Sequence, residues 1–157
     1  MSGTRTHRLM LWSAATDRTF RRVEETLVGK CIHCRRRLAV SLRGTPVSAA
    51  TLEHILPRHH GGTDDLHNLA VACKSCNNLK GSRHDHRSAD DPGLKRVVEG
   101  LLARRRERWR EPLAGLVLPP LHSAPEPEAS LPSPAEAPPS RPSRRGRGRG
   151  RRRRRRG

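Results

Sequence analysis

Aromatic residues are nearly missing from this 157-residue chain: Trp12, Phe20 and Trp109 are all it has, and tyrosine does not occur. Aromatic rings usually bring much of a core's buried area, so a large conventional core is excluded. Long apolar runs are missing too. No stretch approaches the roughly 18 apolar residues a membrane helix needs, so no membrane association is expected. The apolar run Leu9 to Trp12 is too short for a secretory signal. Lysine is scarce, four against 29 arginines, and Asp plus Glu total only 15. What is abundant is positive charge. The formal net charge is +18, and so basic a chain is expected to meet a polyanion, most commonly nucleic acid. Charge alone does not separate DNA from RNA, or either from an acidic protein.

The charge is unevenly spread. Residues 119–157 carry 11 Arg, three Glu and nine of the 13 prolines. This segment cannot bury enough apolar surface to offset its ordering entropy and is read as disordered. It starts as a Pro-rich spacer and ends in an Arg/Gly arm suited to sequence-independent phosphate contact. A solubilising tail and a nuclear import signal are alternatives. Upstream, residues 1–27 form an N-terminal extension containing a short helix over 17–28, capped by Asp17, with Phe20, Val23 and Leu27 on one face and Gly29 ending it. Residues 28–90 hold all the cysteines. Residues 91–118 are dominated by an amphipathic helix over 93–110, opened by Asp91 or Pro92, with Leu94, Val97, Val98, Leu101 and Leu102 at helical spacing. Its Arg104, Arg105, Arg106, Arg108 and Arg110 form either a solvated face or a DNA-backbone contact.

The middle segment has no aromatic ring, and a chain that small usually needs a disulfide or a metal. Its cysteines form two pairs, Cys31-Ile-His-Cys34 and Cys73-Lys-Ser-Cys76, separated by 38 residues. Two residues between cysteines put both sulfurs on one side of a tight turn, where one tetrahedral Zn²⁺ can take them. Two such turns make a closed four-cysteine site that holds the fold and does no chemistry. Two disulfides or redox-active pairs are the alternatives; the missing signal peptide argues against the first and the missing βαβ pattern against the second. Between the pairs the reading is a strand over Thr51 to Leu56 stopped by Pro57, a Gly61-Gly62 turn, a strand over Leu69 to Ala72, and a helix from Lys74 to about Arg83.

The residues along these pieces carry a resemblance. Glu53-His54-Ile55 with Pro57, Gly61-Gly62-Thr63-Asp64-Asp65, Asn68-Leu69, Cys73-x-x-Cys76-Asn77 and Lys80-Gly81 occur in order, and together over residues 28–87 they resemble the HNH endonuclease family. Cys31 and Cys34 fit its zinc-stabilised branch. The resemblance implies an α+β fold: a small ββα-metal core (HNH, His-Me finger) stabilised by the four-cysteine zinc site and flanked by helices, with the basic tail beyond. It also implies hydrolysis of nucleic-acid phosphodiesters with one divalent metal, usually Mg²⁺.

On that footing His54 is the general base, since a neutral imidazole accepts a proton near pH 7. Glu53 and Asn77 supply hard oxygen donors that suit Mg²⁺, which acts as a Lewis acid. Asn68 ties down the loop and orients His54. Lys80, Arg83 and Arg58 are nucleic-acid contacts, with solvated side chains as the bland alternative. Neighbouring strand residues point opposite ways, so Glu53 and His54 sharing one site is an implication of the resemblance. Glu stands where Asp is more usual before the histidine, Asn77 where some members carry His, and Gly81 where colicin-like members add another. An oxygen-rich Mg²⁺ site is therefore favoured over a multi-histidine one. His33 is expected to be solvated or a substitute zinc ligand. His59 and His60 are exposed loop residues or alternative bases; His67, His84 and His86 are surface residues.

The function expected is metal-dependent nicking of DNA, RNA not excluded, with low sequence specificity, in the cytoplasm of a bacterium or of a phage host. The alternatives are a non-catalytic zinc-stabilised nucleic-acid-binding module and an accessory subunit of a phage or mobile-element machine.

Overall fold

A computed structural model of the chain describes residues 4–121; the expected tail disorder lies, beyond residue 121, outside the described residues. The elements in chain order are α1 (Arg5–Ala15), β1 (Arg21–Val23), β2 (Thr26–Lys30), β3 (Arg37–Ser41), β4 (Ala50–His54), β5 (Leu69–Cys73), α2 (Lys74–Lys80) and α3 (Pro92–Arg108). The fold is α+β, with two antiparallel sheets: β1-β2-β3, and the pair β4-β5, which pairs Glu53 with Ala70 and His54 with Leu69. With α2, that pair makes the expected ββα unit. No helix among the described residues is long and apolar enough to cross a membrane.

All five residues of β5, Leu-Ala-Val-Ala-Cys, are buried, as expected for a strand covered on both faces. One cover is α1. Thr4 caps that helix through the His7 N–H, and Leu9, Met10, Leu11, Ala14 and Ala15 are buried in it. A helix buried nearly all round shows no clean amphipathic period. Periodicity therefore does not mark it, although its apolar run is visible in the sequence.

The expected helix over 17–28 is instead the β1-β2 hairpin, with Val23 paired to Thr26. Val23, Thr26 and Val28 are β-branched and suit a pleated surface. Glu24 at φ 51° turns the chain, and the Thr26 hydroxyl donates to the Val23 carbonyl across the turn. Leu27 faces the core, while Phe20 lies wholly buried against Gly29. Asp17 caps no helix. Its Oδ1 accepts from the Thr19 N–H and hydroxyl, and Oδ2 lies 3.8 Å from Arg108.

The α3 helix is capped by Asp91, whose Oδ1 accepts from the Leu94 N–H, and Pro92 opens it. Its basic side is not the solvated face or DNA contact expected. Arg105 is fully buried, donating to the Thr16 hydroxyl and to the Thr16 and Leu66 carbonyls. Arg108 donates to the carbonyls of Lys30 and Cys31, Arg104 to those of Ile32 and His33, and Arg110 to those of Ala15 and Phe20. A guanidinium has five fixed donors. It can collect carbonyls that loops leave unpaired, and buried carbonyls need partners. Arg106 alone of the five is exposed. Burial pulls the Arg105 guanidinium down to about 10, with Asp17 opposing the fall. His67 is exposed, as expected of a surface residue, and stacks on Trp109 at 3.9 Å between ring centroids; the Arg105 guanidinium lies 4.9 Å from the same indole.

Candidate nuclease site

The four cysteines converge. Their sulfurs all lie within 4.8 Å of one another, and Cys34 and Cys73 are 3.8 Å apart. Four sulfurs at Zn–S bonds of about 2.3 Å in a tetrahedron stand about 3.8 Å from each other, so the cluster fits a structural metal such as zinc. The Cys31 sulfur accepts N–H groups from His33 and Cys73, and Arg35 closes the first turn at φ 63°. Burial pushes the Cys31 thiol up, and burial with the neighbouring thiols pushes Cys76 to about 12. The Arg36 backbone N–H brings Cys34 down to about 7. Deprotonating sulfurs this close calls for a cation among them. Arg104 and Arg108 hold the carbonyls of this turn, so α3 sets where it stands.

From that turn His33 reaches the end of β4: its Nε2 is 3.1 Å from Glu53 Oε2. It is therefore neither solvated nor a zinc ligand. Glu53 is almost wholly buried, and its Oε1 accepts from Lys80 Nζ at 2.8 Å. Lys80 corrects another expectation. It is buried and turned inward, with Nζ also 2.8 Å from Asp85 and 3.1 Å from the His54 carbonyl. An ammonium has three donors, and these three partners use them all, so Lys80 is neither a solvated helix end nor a phosphate contact. Gly81–Asp85 continues α2 as a widened π turn, and that turn brings Asp85 back to Lys80.

His54 faces the other way along the strand. Its Nε2 is 2.8 Å from Asp64 Oδ1 and 3.1 Å from Arg58 Nε. Asp64 also takes Arg58 at 2.6 Å on Oδ1 and Arg5 at 2.6 Å on Oδ2. Burial raises the Asp64 carboxyl, but the hydrogen bonds from His54, Arg58 and Arg5 outweigh it and hold it down at about 2. An ionised carboxylate only accepts. His54 Nε2 thus stands between this acceptor and the Arg58 Nε–H, which donates toward it, while Nδ1 has no hydrogen-bond partner among the described residues.

The loop between β4 and β5 is held by Asn68. Its Oδ1 accepts from the Leu56 N–H, and Nδ2 donates to the carbonyls of Leu56 and Thr63. The two glycines of this loop serve different needs. Gly61 sits at φ 87°, and a Cβ on Gly62 would lie 1.8 Å from the Leu56 carbonyl oxygen. Asn77, on α2, donates Nδ2 to the Thr51 hydroxyl and the Leu52 carbonyl, which leaves its Oδ1 free as an acceptor.

Glu53, His54, Arg58, Asn77 and Asp85, with His59, border one open cleft of about 260 Å³. Asn68 stands behind it; Arg83 is exposed on the turn after α2. His59 and His60 both direct Nε2 to the Asp85 carbonyl. The cleft fits a hard divalent ion on its donors: a carboxylate and a free amide oxygen match the one or two protein oxygens such an ion commonly takes. Among the described residues no second group of three His, Cys or carboxylate donors draws as close as the cysteines. Asp85, Asp64 and the inward Lys80 were missed in these roles. The Asp64 and Lys80 positions belong to the recognised motif, but only the folded chain shows whom they touch.

Residues 31–83 match the family model described as HNH endonuclease. The resemblance read from the sequence is borne out over that span, which supports a nuclease-family function and suggests a nucleic-acid substrate. No curated protein and no solved structure matches the chain.

Proposed function

We propose that the protein is a metal-dependent HNH endonuclease that nicks DNA with low sequence specificity, its catalytic Mg²⁺ held by Glu53 and Asn77. The observation that carries this reading is His54: its Nε2 is fixed on an ionised Asp64, and its ring borders the same cleft as Glu53 and Asn77. When bound, the divalent ion supplies Lewis-acid stabilisation of the phosphate and of the departing 3′ oxygen. His54 accepts the proton of the attacking water at Nδ1. That water forms the new P–O bond, and the bond to the 3′ oxygen breaks. Asp64 keeps the tautomer and stabilises the imidazolium that forms, as an orienting carboxylate does for other histidine bases. Arg58 places a cation beside the incoming phosphate. Asn68 keeps the loop that carries Arg58 in register with His54.

One observation favours the alternative, a non-catalytic nucleic-acid-binding module. Both oxygens of Glu53 already face donors, Lys80 on one and His33 on the other. A carboxylate has about four lone-pair sites, so room for a metal remains, but the charge is shared. Supercoiled plasmid with Mg²⁺ decides between them. Nicking by the wild type and not by His54→Ala, with equal DNA retention, is the expected result. Retention by both without nicking by either establishes the binding module instead.

A further inference from the structure

The outer face of the β1-β2-β3 sheet presents an unneutralised cationic groove. Register places Arg21 opposite Val28, and Lys30 opposite Arg37. Leu27, Leu38 and Val40 point to the core, so by strand alternation Arg21, Lys30 and Arg37 stand on the other face. Arg35 joins them from the first cysteine turn, and the four line an open groove of about 400 Å³ with Val28 in it. The side chains of these four make no ion pair or hydrogen bond among the described residues, unlike those of Arg104, Arg105 and Arg108. The sheet's acidic residues, Glu24 and Glu25, sit at the hairpin turn, where Glu25 faces Arg22 at 3.8 Å.

We infer that this sheet face is a docking surface for the phosphodiester backbone of duplex DNA, lying outside the cleft. Charge complementarity selects the occupant. A second copy of a chain with net charge +18 is repelled, and so is the chain's own Arg-rich C-terminus. The first cysteine turn joins the two along the chain: its His33 touches Glu53, which borders the cleft, and its Arg35 lines the groove. The three strands are about 10 Å across. DNA carries one phosphate per about 3.4 Å of axis on each strand, so the face matches about three phosphates. The choice of polyanion rests on the nuclease reading; the surface itself does not need cleavage.

The test uses the full, zinc-loaded chain without added Mg²⁺, so that binding is read apart from cutting. Affinity for a duplex of about 30 base pairs is measured against salt for wild type and for Arg21→Ala/Lys30→Ala/Arg37→Ala. A charge-matched control carries Arg43→Ala, Lys95→Ala and Arg96→Ala, exposed cations from the loop after β3 and from α3. The slope of log K against log salt is expected to flatten by about 2.7 in the first variant, with a loss of about 100-fold at about 0.15 M salt, and to change much less in the control. Equal losses in both variants overturn the surface and leave only net charge. Equal sensitivity of polyglutamate binding overturns the assignment to DNA. Failure of the nuclease reading is separate: it shows as absence of nicking with this binding pattern intact.

Discussion

Lys80→Met removes the ammonium that joins Glu53, Asp85 and the His54 carbonyl. Lys80 and Glu53 are 3% and 1% exposed, so the pair is not a screened surface contact, and its loss leaves a buried carboxylate without its main counter-charge. Removing one partner of a buried pair costs about 3–5 kcal/mol, while replacing both by apolar or neutral groups is often neutral. For a domain with about 5–15 kcal/mol in hand, that is a large share. With a urea slope of about 2 kcal/mol/M, the unfolding midpoint of the zinc-loaded protein should fall by about 2 M. Glu53→Gln in the same chain should restore much of the loss. The vacated position lies between two carboxylates, so Mg²⁺ should bind Lys80→Met more tightly than wild type and stabilise it more at a given Mg²⁺ concentration, each tenfold difference in Kd being worth about 1.4 kcal/mol at saturating Mg²⁺. A variant within about 1 kcal/mol of wild type, or one no more responsive to Mg²⁺, refutes the assignment of Lys80 as the internal counter-cation of Glu53.

Three other outcomes follow from the geometry. Gly29→Ala would set a Cβ 2.3 Å from the wholly buried Phe20 ring and should cost about 1–3 kcal/mol in thermal unfolding; an unchanged melt would show that the ring can shift. Chelation of the bound metal should unfold the zinc site and the strands it joins, seen as loss of near-UV dichroism with release of about one Zn per chain; a folded, metal-free protein contradicts the site. The Asp64 carboxyl sits at about 2, below its ordinary 3.8, so its contribution is complete above about pH 4 and disappears as pH falls toward 2. Melts of Asp64→Asn should therefore be lower than wild type near neutrality and converge with it in acid. A gap that persists at the lowest pH removes ion pairing as the cause.

What could be read from the sequence was whatever short-range spacing controls. Two residues between cysteines fix a turn, a pair of glycines fixes another, and the short run around Glu53 and His54, stopped by Pro57, fixes a strand. These pieces, in order, were enough for the ββα unit and the cysteine cluster. The partners of the charged side chains were not legible. His33 finds Glu53 across 20 residues and Arg104 finds the Ile32 carbonyl across 72, and no periodicity encodes either meeting. The hairpin escapes a sequence reading for a related reason: Phe20, Val23 and Leu27 satisfy a helical period, yet the close approach of Phe20 to Gly29 that rewards the strand is visible only once both are placed.

The arginines show how far charge counting can mislead. In α3 they do work that aromatic rings do elsewhere, filling the interior while their donors take up carbonyls from Thr16, Leu66 and the first cysteine turn. On the β1-β2-β3 sheet the same kind of side chain lines an open groove instead. Burying a guanidinium is tolerable only where enough acceptors surround it, so carbonyl supply decides which arginines become structural and which remain free for an external anion. An exposed cation can thus be removed with little effect on stability, whereas Arg105→Ala strips carbonyl partners from two separate loops. A basic chain of this kind is divided by its acceptors into scaffold and binding surface, and the matched-charge comparison on the sheet face is the measurement that separates the two.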